Sequence, residues 1–328
     1  MSDVFYNFTE SNEGVYGPAV AVILGLEMVA GLFANAVVLC ITLMQRKSLS
    51  QPSTIFFTSL TAAHLLMVLL YLPVSVIAIG AEEWIFGSNF EEKKITCSIS
   101  AFVFWYSVLL MTINLAVISF DRFLFIVKPH FYKQFMRPTV ALILTIAVWI
   151  LSAALNSTPL YGLGAYQYGP SYGSCIPTWR NVPGYLSFMA AIFLIVLAFI
   201  IVTSLWTFCF TRKFMHEQEP SQQSNVYQSK ERRLFGIFGA MLIVYGVCFL
   251  PSVITGIMTI FVILPGQVYA MDMILFQLIT SGSPLVQSYF RPDIKERLTF
   301  IYKRSLQMMK NIFYSRKKNN LSQDEQLS

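Results

Sequence analysis

Charged side chains are scarce in this chain. They make up 12% of its 328 residues, while 55% are hydrophobic and the mean hydropathy is +0.60. Soluble domains carry about 25% charged residues, so the composition points to a membrane protein. Histidine is scarcer still. His64, His130 and His216 are the only three, scattered without metal-ligand spacing, and no nucleophile motif accompanies them, so a membrane enzyme, a metal site or a cofactor is not expected. No internal or inverted repeat is visible, which weakens a secondary-transporter reading. A basic start followed by an apolar run is also missing from the first 17 residues, and no cleavable signal peptide is read there.

What the chain does have is long apolar runs. Seven stretches, at about 18–44, 53–80, 97–127, 139–161, 183–210, 234–264 and 267–290, have the length of a membrane crossing. A helix needs roughly 20 apolar residues to cross about 30 Å of hydrocarbon. The runs are too long for membrane strands, so the expected fold is an all-α membrane protein, a seven-helix bundle. Of the 23 Lys and Arg, only Lys93, Lys94 and Arg180 fall on one side of these runs. The positive-inside bias therefore places the C-terminus in the cytoplasm and the N-terminus outside, with the bundle in the plasma membrane. The net charge of +6 is mostly this topogenic bias, and no nucleic-acid partner is read from it.

The expected organisation is an extracellular segment 1–17, the bundle 18–290, an amphipathic helix 291–313 on the inner lipid surface, and a disordered tail 314–328. Asn7 heads an Asn-Phe-Thr glycosylation sequon on the outer side. Cys40, Cys209 and Cys248 lie within spans and read as packing residues. Cys97 opens the third span and Cys175 lies in the long outer loop, both on the oxidising side. They can form one disulfide; the alternative is two free thiols.

Several stretches carry a resemblance to a known family. Asn35 stands in GLFANAVVL of the first span, and Trp84-Ile85-Phe86-Gly87 forms an outer turn. Asp121-Arg122-Phe123 closes the third span, and Trp149 and Pro159 stand ten residues apart in the fourth. Cys248-Phe249-Leu250-Pro251 marks the sixth span and Ser283-Pro284-Leu285-Val286-Gln287 the seventh. In order and spacing the chain resembles a rhodopsin-like (class A) G-protein-coupled receptor over nearly its whole length. The resemblance implies signalling to a heterotrimeric G protein, with arrestin and membrane lipids as further partners. It implies a switch in which Arg122, beside Asp121, pairs with Glu231 of the sixth span. Phe249 and Pro251 would form a lever, with Ser283, Pro284 and Gln287 in the seventh-span motif.

The departures are as informative as the matches. His64 occupies the position where the family places an aspartate that helps bind sodium, and Met111 stands where it often offers a serine. Sodium, like other hard cations, takes oxygen ligands. With Ser283 and Gln287 also changed, the sodium site is expected to be lost and basal signalling raised. A buried histidine is expected neutral, with Asn35 and Ser283 as candidate partners; a plain core histidine or a proton switch are the competing roles.

By family register, Phe104, Trp105, Val108, Phe249, Ser252, Tyr269, Met273 and Gln277 would line the ligand cavity. Phe104 replaces the aspartate of amine receptors, and Gln277 stands where retinal proteins need a lysine. A neutral or lipid-like small molecule fits that lining. The acidic outer face admits a basic peptide, and the tyrosine-rich outer loop is a candidate built-in ligand that would make the receptor self-activating. A non-signalling or scavenging receptor is the alternative, followed by a channel or transporter.

Overall fold

The computed structural model describes residues 16–45, 50–169, 174–177, 183–217, 225–262 and 264–327. Asn7 lies outside the described residues, as does the side chain of Glu231. In chain order the helices are α1 (Gly17–Met44), α2 (Pro52–Leu66), α3 (Leu72–Ala81), α4 (Phe90–Val127), α5 (Pro129–Phe135) and α6 (Pro138–Asn156). There follow α7 (Pro183–Glu217), α8 (Asn225–Phe261), α9 (Gly266–Gln277), α10 (Ile279–Phe290) and α11 (Pro292–Leu327). A two-stranded antiparallel hairpin, β1 (Tyr166–Gly169) and β2 (Ser174–Pro177), lies between α6 and α7.

Six of the helical segments are long and apolar enough to cross a membrane, and α9 with α10 completes a seven-helix bundle. Its surface inverts that of a soluble protein. Phe33, Ile150, Ile195 and Leu250 face outward, whereas Asn35, Thr61, His64, Ser283 and Gln287 are completely buried. Hydrocarbon cannot solvate polar groups, so these must turn inward and find one another.

The spans depart from their expected bounds for local reasons. The third begins at Phe90, seven residues before Cys97, because Asn89 caps it by accepting from Glu92 N–H at 2.9 Å. Glu92 in turn accepts from Ser88 N–H at 2.7 Å, and Glu91 and Glu92 sit favourably at the positive end of the helix dipole. The second span widens to a π turn at Met67–Tyr71. Pro73 cannot donate to the Leu69 carbonyl, and the wider turn absorbs its ring. The fourth span ends at Asn156 and gives way to a 3-10 turn, Thr158–Tyr161, instead of running on to 161.

The seventh span, expected to be continuous, is interrupted at Leu278. Pro284 lacks an N–H, so the carbonyl of Thr280 loses its helical donor. Asn35 Nδ2 of α1 supplies that bond instead, at 2.6 Å. Gly31, one turn earlier on α1, makes the approach possible: a Cβ there would meet Thr280 Oγ1 at 2.9 Å. The last helix runs to Leu327, through the segment expected to be a disordered tail. Its sequence contains neither Pro nor Gly after Pro292 and includes many Lys, Arg, Leu and Gln, all good helix formers.

Candidate functional site

At one end of the bundle, Cys97 and Cys175 are disulfide-bonded, which fastens β2 to the start of α4. Tyr166 and Tyr168 of β1 are buried against Trp84, Ala101 and the disulfide. The Tyr166 hydroxyl donates to the carbonyl of Asn156 at 3.2 Å. Burial, with Glu83 close by, pushes the Tyr168 phenol up to about 12. The tyrosines thus brace the rim of the bundle. Deeper contact comes from Ser174 of β2, which is buried close to Tyr71.

Tyr71 opens onto an aromatic stack that descends through the bundle. Its ring lies 4.6 Å from Phe104, Phe104 lies 5.7 Å from Phe276, Phe276 lies 5.1 Å from Phe249, and Phe249 lies 5.9 Å from Tyr245. Of the residues expected to line a cavity, the structure brings Phe104, Trp105, Val108, Phe249 and Met273 to this core. Gln277 is fully buried, and both of its amide atoms are without a hydrogen-bond partner among the described residues. Two expected lining residues point elsewhere. Ser252 donates to Asp272 Oδ1 at 2.5 Å, and the Tyr269 hydroxyl meets Thr259 Oγ1 at 3.3 Å.

Below the stack, His64 Nε2 lies 3.0 Å from the Tyr245 hydroxyl, joining α2 to α8. Neither partner expected for His64 is used. Asn35 is turned to Gly31 and Thr280, and Ser283 donates to the Met241 sulfur at 3.6 Å. The histidine is wholly buried, as is Met111 of the same core, and His64 Nδ1 has no partner among the described residues. One ring nitrogen facing a hydroxyl and the other facing no acceptor suits a neutral imidazole.

At the opposite end, Asp121 and Arg122 form a buried pair at 2.5 Å. Ser53 of α2 donates to Asp121 Oδ2 at 2.9 Å and contacts Arg122 Nη2 as well, and Tyr132 of α5 donates to Asp121 Oδ1 at 3.0 Å. Burial and the Asp121 charge both raise the Tyr132 phenol above its usual range. Beside this cluster, Gln287 Nε2 donates to Thr61 Oγ1 at 3.1 Å. Its Oε1 accepts from Arg291, which is paired with Asp293 at 2.7 Å.

A seven-helix frame, a disulfide from the third span to the following hairpin, and a buried Asp–Arg pair at the far end now stand together. The family model for the 7 transmembrane receptor (rhodopsin family) matches residues 34–285, well over half of the chain. The chain belongs to that family. The receptor is 25% identical over 272 residues to the high-affinity lysophosphatidic acid receptor of Xenopus laevis, a match covering 74% of this chain and 68% of that one. It is 26% identical over 239 residues to the melatonin receptor type 1C of the same organism, covering 71% and 54%. A match to G-protein coupled receptor 161 of Xenopus tropicalis is 27% identical, covering 53% of this chain but only 32% of that longer protein. In fold, squid rhodopsin superposes with a TM-score of 0.74 at 16% identity, covering 88% of this chain and 86% of that one.

Several residues of the receptor's core and polar network were not expected from sequence: Tyr71, Tyr245, Phe276, Ser53, Tyr132 and Arg291. Two carried a usable signal. Tyr245 is a polar-tipped residue in the middle of an apolar span, and a buried phenol needs a partner. Arg291 directly follows a span and precedes Pro-Asp, where a buried guanidinium must find a carboxylate. The others are ordinary residues whose partners lie on other elements, as with Ser53–Arg122, Tyr132–Asp121, Tyr71–Phe104 and Phe276–Phe249.

Proposed function

We propose that this receptor, in the plasma membrane with its N-terminus outside, passes an extracellular signal to a heterotrimeric G protein through a core that works without sodium. The observation that carries this reading is the His64–Tyr245 bond at 3.0 Å. Spans two and six are joined there by the protein's own side chains, at the level where the family resemblance expects an ion. An imidazole and a thioether, from His64 and Met111, offer no oxygen to a hard cation. The bond between His64 and Tyr245 must open if the sixth span is to move, so it sets the level of ligand-independent output. Loss of a sodium brake argues for raised basal signalling, and this bond supplies a replacement restraint.

The aromatic stack from Tyr71 to Tyr245 supports a neutral or lipid-like ligand, whose apolar body would displace rings. The hairpin, buried against Trp84 and Ala101 with Ser174 close to Tyr71, supports a loop that acts as a lid and contributes to activation from within. Arg122, held by Asp121 and Ser53, would be released toward the G protein, with Glu231 its partner in the resting state and arrestin competing for the same cleft.

The test is ligand-free nucleotide exchange on a G protein in membranes, comparing wild type, Arg122→Ala and His64→Asp at equal receptor density. Sodium is exchanged for potassium at constant ionic strength. Wild type should be insensitive to the exchange, and His64→Asp should acquire sodium sensitivity. Output from wild type that falls as sodium replaces potassium would sink the proposal. A receptor that binds without signalling is the second reading, favoured by Gln287, which is tied to both Thr61 and Arg291 near the end of span seven. It predicts no output above Arg122→Ala in any variant.

A further inference from the structure

A cleft of about 290 Å³ opens on the flank of the bundle between α8 and α9, towards the hairpin end. Pro251 and Thr255 form its α8 wall, and Val268, Met271, Asp272 and Leu275 its α9 wall. The four α9 residues stand at i, i+3, i+4 and i+7 and so share one helix face. Gln267 marks the mouth, and from there to Leu275 the cleft follows about 12 Å of helix. Met271 and Val268 are exposed on this flank, where the bundle meets hydrocarbon.

Asp272 is the chemical anomaly of this cleft. Its neighbours are apolar apart from Thr255 and Gln267, and its one hydrogen bond among the described residues is the hydroxyl of Ser252 at 2.5 Å. The ion pairs Asp121–Arg122 and Asp293–Arg291 both lie at the other end of the molecule. A carboxylate at membrane depth calls for a cation or a function. A metal ion would require several more oxygen ligands than Asp272, Ser252 and Thr255 supply. An organic ammonium requires only the carboxylate and a hydroxyl, and its hydrocarbon body suits walls of Val268, Met271 and Leu275.

We propose that the α8–α9 cleft binds a cationic amphiphile entering from the bilayer, its ammonium on Asp272 and its chain along Val268, Met271 and Leu275. This gives the lipid-like ligand of the receptor reading a positively charged head. Binding at the cleft can be measured without any signalling, so the two ideas fail separately.

The experiment uses the full-length receptor in phosphatidylcholine nanodiscs with a dodecylamine that carries a diazirine on its tail. The matching dodecanol probe differs only in the headgroup. Cross-linked peptides are mapped by mass spectrometry. The amine should label the 251–255 and 268–275 segments at least tenfold more than the alcohol. Asp272→Asn should bring amine labelling down to the alcohol level, and Glu27→Gln, which alters a carboxyl on α1 outside the cleft, should leave it unchanged. Leu275→Trp, which fills the cleft while keeping the carboxylate, should abolish it too. Equal labelling of wild type by the two probes would overturn the proposal. So would undiminished amine labelling of Asp272→Asn with a wild-type melting curve. Should Asp272→Asn fail to fold, the amine-to-alcohol ratio on wild type and the Leu275→Trp result decide the matter.

Discussion

His64 and Tyr245, 181 residues apart in sequence, meet at 3.0 Å in the middle of the bundle. The contact joins the second span to the sixth, the element that carries Pro251 within its helix. Tyr245 is also stacked on Phe249, so the bond and the aromatic column move as one unit. Replacing Tyr245 by Phe keeps the ring and removes the hydroxyl. A buried neutral hydrogen bond contributes about 1 kcal/mol, or roughly a fivefold change in a two-state equilibrium. Tyr245→Phe should therefore raise ligand-free nucleotide exchange several-fold at equal receptor density. An unchanged rate would show that the bond does not restrain the sixth span.

Asn35 should matter for stability more than its place in an apolar helix suggests. Its side-chain amide donates to both the Gly31 and Thr280 carbonyls, and the latter has no helical donor because of Pro284. Asn35→Ala leaves that buried carbonyl unsatisfied, a loss of about 1–3 kcal/mol. Thermal unfolding of the purified variant should shift down by several degrees. Gly31→Val should act in the same direction by forcing α1 away from Thr280, and a melting curve matching wild type for both would refute this account of the span-one contact.

The disulfide joins residues 78 positions apart and holds β2 to α4. In the chain-entropy description a loop of that size contributes on the order of 4 kcal/mol. Cys97→Ser is expected to reduce surface expression strongly and to expose the hairpin amides at 166–169 and 174–177 to hydrogen exchange. Cys175→Ser should give the same phenotype, and the double variant should be no worse than either single one.

The hairpin also responds to strongly alkaline pH. Tyr168 is pushed up to about 12 by burial and by Glu83, above the value of about 10 it has when unfolded. A phenol whose folded pKa is raised contributes its full stabilisation below the unfolded value, and that contribution is lost as pH rises from about 10 to 12. Hydrogen exchange across the hairpin should accelerate over that window in wild type. In Tyr168→Phe the acceleration should be weaker, with the remainder due to Tyr166, whose phenol burial also raises.

Much of the bundle was legible because hydrocarbon imposes a length and a polarity that single runs of sequence display. The span count is of this kind, while the Cys97–Cys175 bond was legible only as one option for two cysteines on the oxidising side. Boundaries were less legible where one local device decides them, as Asn89 and Glu92 do for the third span. The partners of His64 were missed for a different reason: register along one helix says which side a residue faces, but not which residue of another helix will come opposite.

Local chemistry alone determined that this chain crosses a membrane seven times and that polar residues such as Asn35, His64 and Gln287 turn inward. These follow from the solvation of single groups and from the backbone of single helices. Tertiary structure decided that Asn35 heals the gap made by Pro284, that Tyr245 takes His64, and that Gln287 binds Thr61 and Arg291. Each of those bonds joins side chains far apart in sequence. Their pairing depends on how far two helices slide and rotate against each other, and packing sets that only when the whole bundle is assembled.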